Sequence, residues 1–244
     1  MLHYELKGSG DETLVIVHGF LGDITIFNKV MEELQQHYEL ILIDLPGHGK
    51  SKMEQENYTI YDYAQAIVNV LAQEKIANAA WLGHSMGGYI ALATLERNMA
   101  KIDKLILAYS SASPDSAETQ NKRDEQMKTI EQNGVKAFVD NSIDAFFSKE
   151  AANESIEFAR TIAYKATEEG LIAALQAMKE RPNQTQLLHE TSTPILVIEG
   201  QQDTIVSPIE TDNIAVQKIV TNTGHIGMLE DDKAFLKAIK QFLG

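Results

Sequence analysis

The sequence G-H-S-M-G at residues 83–87 places a serine between two glycines at a predicted junction of strand and helix. An apolar run, 79–82, precedes it, and a helix-like stretch, 89–96, follows. In this context a sharp turn directs the serine hydroxyl outward, and the glycines leave room where strand and helix cross closely. The pattern therefore predicts that Ser85 is a nucleophile.

A serine hydroxyl needs a neighbouring base, and that base is best held by a third group. His225 follows the last predicted strand, 216–220, and is the candidate base. Asp203 follows the predicted strand 195–198 and is the candidate acid that orients the base. Loops that follow parallel strands gather at one edge of a sheet, so Ser85, Asp203 and His225 are expected to meet there.

Acyl transfer also needs two backbone N–H groups that point to the developing negative charge. One is predicted at Met86, directly after the serine, and the other at Phe20, in the loop that follows the second strand. The histidines show no H-E-x-x-H or comparable ligand spacing, and no nucleotide-binding glycine pattern is complete. We therefore expect neither a metal site nor a cofactor.

Seven short runs with strand-like patterns, most of them apolar, predict strands, and most of these runs alternate with helical patterns. The runs are 4–7, 13–17, 40–43, 79–82, 105–108, 195–198 and 216–220. One helix is predicted to begin at Thr59, because Asp62 completes a capping box three residues later. Another begins near 230–232, where acidic residues suit a helix N-terminus. Apolar strands that alternate with helices predict an α/β fold with a parallel sheet covered on both faces.

The segment 113–188 contains helical patterns but no convincing strand. We interpret it as a helical cap inserted into a single domain of residues 1–244. Phe146 and Phe147 in this segment are candidates for the wall of a substrate pocket, and Tyr89 beside the serine turn is a third candidate. Packing between cap and core is the alternative explanation for the two phenylalanines.

The composition limits the classes of partner and site. The 244 residues carry a net charge of −14, which argues against nucleic acid and anionic membranes as partners. The absence of cysteine excludes disulfides, thiolate metal sites and a cysteine nucleophile. Neither a secretory signal nor an apolar run of about 18 residues is visible, so a cytoplasmic protein is expected. Nothing in the sequence predicts the oligomeric state.

Five segments together resemble the α/β-hydrolase superfamily, and the likeness covers nearly the whole chain. They are 18–20, 44–51, 83–88, 200–203 and 224–225. The resemblance implies an eight-stranded, mostly parallel sheet flanked by helices, a helical cap after the sixth strand, and the order Ser85, Asp203, His225. Some relatives carry the acid after the sixth strand. Asp115 is the nearest acid there and remains the alternative to Asp203.

The expected function is cleavage of a small carboxylic ester through an acyl-serine intermediate, with a small-molecule ester as the partner. The same residues could serve a lactonase, a thioesterase, a perhydrolase or a menaquinone-pathway synthase that eliminates pyruvate. That synthase family usually carries an arginine after the paired glycines, where this chain has Tyr89. A protein of a different class, a non-enzymatic receptor for a small signal molecule, could also keep all three residues.

Overall fold

A sheet of seven strands runs through the molecule. The computed structural model describes residues 1–244. The strands are β1 (Tyr4–Lys7), β2 (Glu12–Val17), β3 (Tyr38–Ile43), β4 (Asn78–His84), β5 (Lys101–Ala108), β6 (Ile195–Gly200) and β7 (Val216–Thr221). Their order is β1-β3-β2-β4-β5-β6-β7, and every neighbouring pair is parallel except β1 with β3. The predicted α/β fold with a mostly parallel sheet is confirmed.

Nine α-helices connect and flank the strands. They are α1 (Asn28–Leu34), α2 (Ile60–Gln73), α3 (Met86–Glu96), α4 (Ala117–Ser142), α5 (Asn153–Ala163), α6 (Glu168–Lys179), α7 (Thr185–Glu190), α8 (Gly227–Glu230) and α9 (Asp232–Leu243). A 3₁₀ turn, Ile143–Phe146, follows α4. Helix α4 is interrupted at Gly134, whose φ of 77° lies in the left-handed region that favours glycine. None of the helices has the length and apolar character needed to cross a membrane.

The order in which the chain adds strands to the sheet changes direction beside β2. From β2 the chain moves outward to β3, then crosses back to β4 and continues to β7. Right-handed crossovers between parallel strands place α1 on one face and both α2 and α3 on the other. Accordingly, α1 contacts α9, whereas α2 contacts α3. A crevice is expected at the carboxyl ends of β2 and β4, where open parallel sheets bind their ligands.

The number of strands differs from the eight implied by the family resemblance. The sheet has seven strands, each of which corresponds to one of the seven predicted runs, and β1 is an edge strand with Leu6 47% exposed. The helical segment, α4 to α7, consequently follows the fifth strand of this sheet rather than a sixth. No eighth strand forms because the remaining segments are helices or polar loops such as 203–215. The role of the helical segment as a cap stays a prediction.

Helix boundaries follow local signals in the sequence. Thr59 accepts a hydrogen bond from the amide of Asp62, and the Asp62 carboxylate accepts one from the amide of Thr59 at 2.8 Å. The predicted capping box of α2 is therefore present. Asp231 caps α9 in a similar way, since its carboxylate accepts a hydrogen bond from the amide of Ala234 at 2.9 Å. These caps fix where each helix begins after the preceding loop.

Candidate active site

Ser85 occupies a strained turn between β4 and α3. Its φ of 51° and ψ of −117° are uncommon for a residue with a side chain. Two contacts hold the turn: the Ser85 amide donates to the carbonyl of Ala108 at 2.9 Å, and the Ser110 hydroxyl donates to the carbonyl of Ser85 at 2.8 Å. The surrounding structure therefore fixes a conformation that the isolated chain would disfavour.

The two glycines that flank Ser85 are required by close backbone contacts. A Cβ atom at Gly83 would lie 2.4 Å from the carbonyl oxygen of Gly87. A Cβ atom at Gly87 would lie 2.4 Å from the carbonyl oxygen of Val17, at the end of β2. Both distances are far shorter than any real contact with backbone, so the spacing of the motif reflects how closely α3 crosses β2 and β4.

Ser85, His225 and Asp203 form a continuous chain of hydrogen bonds. The Ser85 Oγ and His225 Nε2 atoms are 2.8 Å apart, and His225 Nδ1 lies 2.8 Å from Asp203 Oδ2. The His225 side chain is fully buried and that of Asp203 is almost so. The structure thus brings together the three residues that the sequence selected, although they are separated by as many as 140 positions.

The backbone of His225 is held from two sides. Its amide donates to the carbonyl of Phe146 at 2.8 Å, and its carbonyl accepts a hydrogen bond from Nε2 of His84 at 2.9 Å. Burial, reinforced by the nearby His225, lowers the pKa of His84 to about 3, so His84 is neutral at physiological pH. His84 therefore positions His225 as a neutral donor. Sequence reasoning did not assign it this contact.

The two candidate acids lie in different surroundings. Besides binding His225, the Asp203 carboxylate accepts hydrogen bonds from the amides of Ile205 and Val206 at 2.8 and 3.4 Å. Asp115 instead binds two arginines of the helical segment, Arg123 at 3.1 Å and Arg181. The structure therefore places Asp203, and not Asp115, at the histidine.

Two amide groups that could bind an oxyanion flank the serine. The hydrogen bonds of the protein include none donated by the amides of Phe20 or Met86. The loop that carries Phe20 is a tight turn, closed by a hydrogen bond from Gly22 to Gly19, with Leu21 at a φ of 62°. Two free donors are what an oxyanion hole requires, and this role of Phe20 and Met86 stays a prediction.

His18 fixes the base of this loop. Its Nε2 accepts a hydrogen bond from the amide of Leu45 at 2.9 Å, so Nδ1 carries the proton and donates to the carbonyl of Gly19 at 2.8 Å. Burial lowers the pKa of His18, which keeps the ring neutral and preserves this tautomer. The residue therefore ties the loop after β2 to the loop after β3.

A cavity of about 220 Å³ lies beside the site, although neither Ser85 nor His225 is among the residues that line it. Phe20 lines it, and so does Phe146, whose ring packs edge-on against the His225 ring with centroids 5.5 Å apart. Phe138 of α4 reaches over the Phe20 ring at 6.2 Å and closes the cavity from the helical segment. Phe146 therefore lines a cavity beside the site, and its contact with a substrate stays a prediction.

The other two residues selected for substrate binding lie elsewhere. Phe147 is buried in the hydrophobic core and does not line this cavity. Tyr89 is buried under the guanidinium of Arg181, 4.2 Å from its ring centroid, and lines a smaller cavity of about 120 Å³. Arg123 lines both cavities, which the sequence analysis did not predict. The only local signal for this placement of Arg123 is its spacing of three residues from Gln126, which puts the two side chains on one face of a helix.

Metal-binding geometry is absent from the same region. No group of three or more His, Asp or Glu side chains in residues 1–244 is arranged to hold a metal ion. The chemistry that the site offers therefore comes from a serine hydroxyl, an imidazole, a carboxylate and two amides. This set can transfer an acyl group by way of a covalent serine ester.

Known proteins of similar sequence include hydrolases and esterases. The chain is 36% identical over 110 residues to the uncharacterized hydrolase YugF of Bacillus subtilis (strain 168), over 45% of this chain and 40% of that protein. It is 31% identical over 146 residues to a pimeloyl-[acyl-carrier protein] methyl ester esterase of Nitrosospira multiformis, over 57% of this chain and 51% of that protein. The chain thus aligns with only about half, or less, of the length of these two relatives.

A solved structure and a family model match nearly the whole chain. The structure of a thermophilic esterase from Thermogutta terrifontis, with malate bound, superposes with a TM-score of 0.89 and 28% sequence identity. The match covers 99% of this chain and 92% of that one. The family model described as the alpha/beta hydrolase fold matches residues 12–232. This protein therefore belongs to the α/β-hydrolase family of enzymes.

Proposed function

We propose that this protein is a serine hydrolase that cleaves a small carboxylic ester through an acyl-serine intermediate. The observation that carries the proposal is the unbroken chain of hydrogen bonds from Ser85 through His225 to Asp203. The chain ends beside two free amides, those of Phe20 and Met86, on the side where an ester carbonyl would bind.

Each group has one task in the reaction. Ser85 Oγ attacks the ester carbonyl while His225 Nε2 takes its proton, and Asp203 holds the imidazole in the tautomer that leaves Nε2 free to accept. The amides of Phe20 and Met86 stabilise the oxyanion. His225 then returns the proton to the leaving alcohol. Water attacks the acyl-serine with His225 as the base, and the carboxylic acid is released.

The surroundings of the serine favour a small ester. The cavity of about 220 Å³ beside Phe20 and Phe146 is smaller than the range of roughly 300–1,000 Å³ that is typical of ligand pockets. The relatives that are named esterases, including one named for a methyl ester, support ester cleavage over other acyl transfers. We therefore expect methyl esters of short carboxylic acids to be substrates.

Replacement of the nucleophile tests the proposal directly. Ser85→Ala should reduce the hydrolysis of methyl hexanoate, followed as acid release in a pH-stat, by about four to six orders of magnitude. The matched control is Ser9→Ala, because Ser9 is exposed and lies far from Ser85 in the sequence. A fluorophosphonate should add mass to Ser85 alone. Full activity in Ser85→Ala, or labelling of another serine, would contradict the assignment.

The number of turnovers separates an enzyme from a receptor. An esterase should release many equivalents of acid per protein at a constant rate. One slow turnover, followed by retention of the product, would instead favour a non-enzymatic receptor for a small molecule. Faster turnover of a lactone or a thioester than of any simple ester would keep the mechanism and change the substrate class.

A further inference from the structure

We propose that Arg123, on the lining of the cavity next to Phe20 and Phe146, binds a carboxylate, so that the preferred substrate is a monoester of a dicarboxylic acid. The inference rests on the proposed function, because it specifies the acyl group of the ester. It depends on the charges and free hydrogen-bond donors of the side chains that line the cavity.

The lining of the cavity combines aromatic rings with polar side chains. Phe20, Phe138 and Phe146 supply its walls near the catalytic histidine. Arg123 and Gln126 of α4 lie on the same lining, one helical turn apart. An acyl chain that extends from Ser85 past Phe146 into this cavity would therefore contact both aromatic rings and two polar side chains.

Arg123 has donors to spare. Its Nε donates to Asp115 Oδ2 at 3.1 Å, while its two terminal Nη groups donate to no atom of the protein. The side chain is only 15% exposed, so water reaches it poorly. A guanidinium presents a planar pair of donors that matches both oxygens of a carboxylate. The orientation of Arg123 is fixed by Asp115, and its remaining donors are free for a ligand.

Arg123 is the cation best placed to bind an anion in this cavity. Arg181 and Arg123 share the single carboxylate of Asp115, so two cations face one anion. Arg181 is held by more contacts, because its Nε donates to the carbonyl of Ser113 at 3.1 Å, its Nη1 donates to the carbonyl of Met178 at 2.9 Å, and its guanidinium stacks on Tyr89. Asp203, the catalytic acid, is occupied by His225. Of the two guanidinium groups, only that of Arg123 lines the cavity beside Phe146, so Arg123 is the cation placed to bind an anion there.

Gln126 supplies an independent sign of a missing partner. Its Oε1 atom is buried and has no hydrogen-bond partner in the protein. An unpaired buried amide is costly, so a ligand group is expected beside it. The oxygen and nitrogen of a glutamine amide exchange places by a half-turn, which would direct the NH₂ group to a carboxylate already held by Arg123. Both side chains then bind the same anion.

Two esters that differ only at the far end test the proposal. Monomethyl adipate carries a free carboxylate where methyl hexanoate carries a methyl group, and both are followed by acid release at about pH 7.5. The wild type should show a higher kcat/KM for monomethyl adipate, mainly through a lower KM. Arg123→Gln should reduce the ratio of the two kcat/KM values about ten- to a hundredfold, the range of a charged hydrogen bond. Arg123→Lys should restore part of it.

Lys122→Gln is the matched control, because Lys122 is the neighbouring cation on α4 but is exposed and pairs with Glu118. It should leave the ratio unchanged, which excludes a general effect of charge. Calorimetry of adipate and hexanoate binding gives a readout without turnover: wild type should bind adipate more tightly, and Arg123→Gln should lose the difference. No preference in the wild type, or an unchanged ratio in Arg123→Gln, would overturn the carboxylate site. Failure to hydrolyse either ester would count against the proposed function. In that case the difference between adipate and hexanoate binding would still test the carboxylate site at Arg123.

Discussion

At the scale of single residues, the partner of each acid decides its role. Asp203 and Asp115 both follow strands of the same sheet, so spacing along the chain could not separate them. The structure separates them because Asp203 faces an imidazole, whereas Asp115 faces two guanidinium groups. The arginines lie 8 and 66 positions from Asp115, and nothing in the local sequence links them.

Asp203→Asn should abolish most of the activity without unfolding the protein. The amide can still accept a hydrogen bond from Ile205, but its NH₂ group would favour the wrong tautomer of His225. We expect kcat for methyl hexanoate to fall by about 10⁴-fold, with an unchanged urea midpoint. Asp212→Asn is the matched control, because Asp212 also binds a histidine, His189, but at the surface. An active Asp203→Asn variant would disprove the assignment of the acid.

Asp115→Asn should instead act on stability. The substitution would leave two partly buried guanidinium groups without their shared carboxylate, a change that typically costs about 3–5 kcal/mol. We expect a lower urea midpoint, with hydrolysis of methyl hexanoate retained in the folded fraction. Loss of kcat comparable to that of Asp203→Asn, without a change in stability, would show that the alternative acid is the functional one.

At the scale of elements, the patterns in the sequence predict strands more reliably than they predict short 3₁₀ turns. All seven predicted runs are strands, but β5 begins at Lys101, four residues before its apolar run. Its polar first half still pairs with β4, because backbone pairing does not require apolar side chains. The 3₁₀ turn Ile143–Phe146 had no comparable signal. Its geometry sends the adjacent rings of Phe146 and Phe147 to different surroundings.

Phe146→Ala and Phe147→Ala should therefore have different effects. Loss of the Phe146 ring enlarges the cavity, so the preferred methyl ester should become longer; the kcat/KM values of esters from butanoate to octanoate measure this change. The effect is limited, because each methylene group in an apolar pocket is worth about 1–3 kcal/mol. Phe147→Ala, the matched control, leaves a hole in the core and should lower the free energy of unfolding by about 3–5 kcal/mol. If the two variants lost the same stability and both kept the wild-type preference for chain length, neither ring would bound the substrate.

At the scale of the whole molecule, the topology explains which parts of the site were predictable. Ser85, Asp203, His225 and the oxyanion loop all follow strands at the carboxyl edge of the sheet, so identifying the strands was enough to bring them together. The part of the cavity lining that carries Arg123 lies on a helical segment that returns over this edge. Its position depends on how α4 packs against α6 and how it turns at Gly134. Such contacts between distant helices leave no periodic signal in a single sequence.

The same fold buries several neutral histidines, which makes stability depend on pH. Burial, together with the neighbouring His18, lowers the pKa of His48 to about 3, whereas an unfolded histidine titrates near 6.5. The unfolded chain therefore binds more protons below about pH 6.5, and the folded state loses stability as the pH falls from there toward 3. Between about pH 7 and pH 5.5, a histidine whose folded pKa is about 3 should cost about 1.3 kcal/mol.

His48→Asn should remove one of these contributions. The asparagine amide can replace the hydrogen bond from the imidazole Nδ1 to the carbonyl of Pro46, but it does not titrate. Urea unfolding at about pH 7 and pH 5.5 should show a loss of stability that is about 1.3 kcal/mol smaller than in the wild type. His37→Asn is the matched control, because His37 is exposed and should leave the wild-type dependence intact. An equal loss in His48→Asn and wild type would mean that His48 is protonated in the folded state, and that the loop after β3 opens to water.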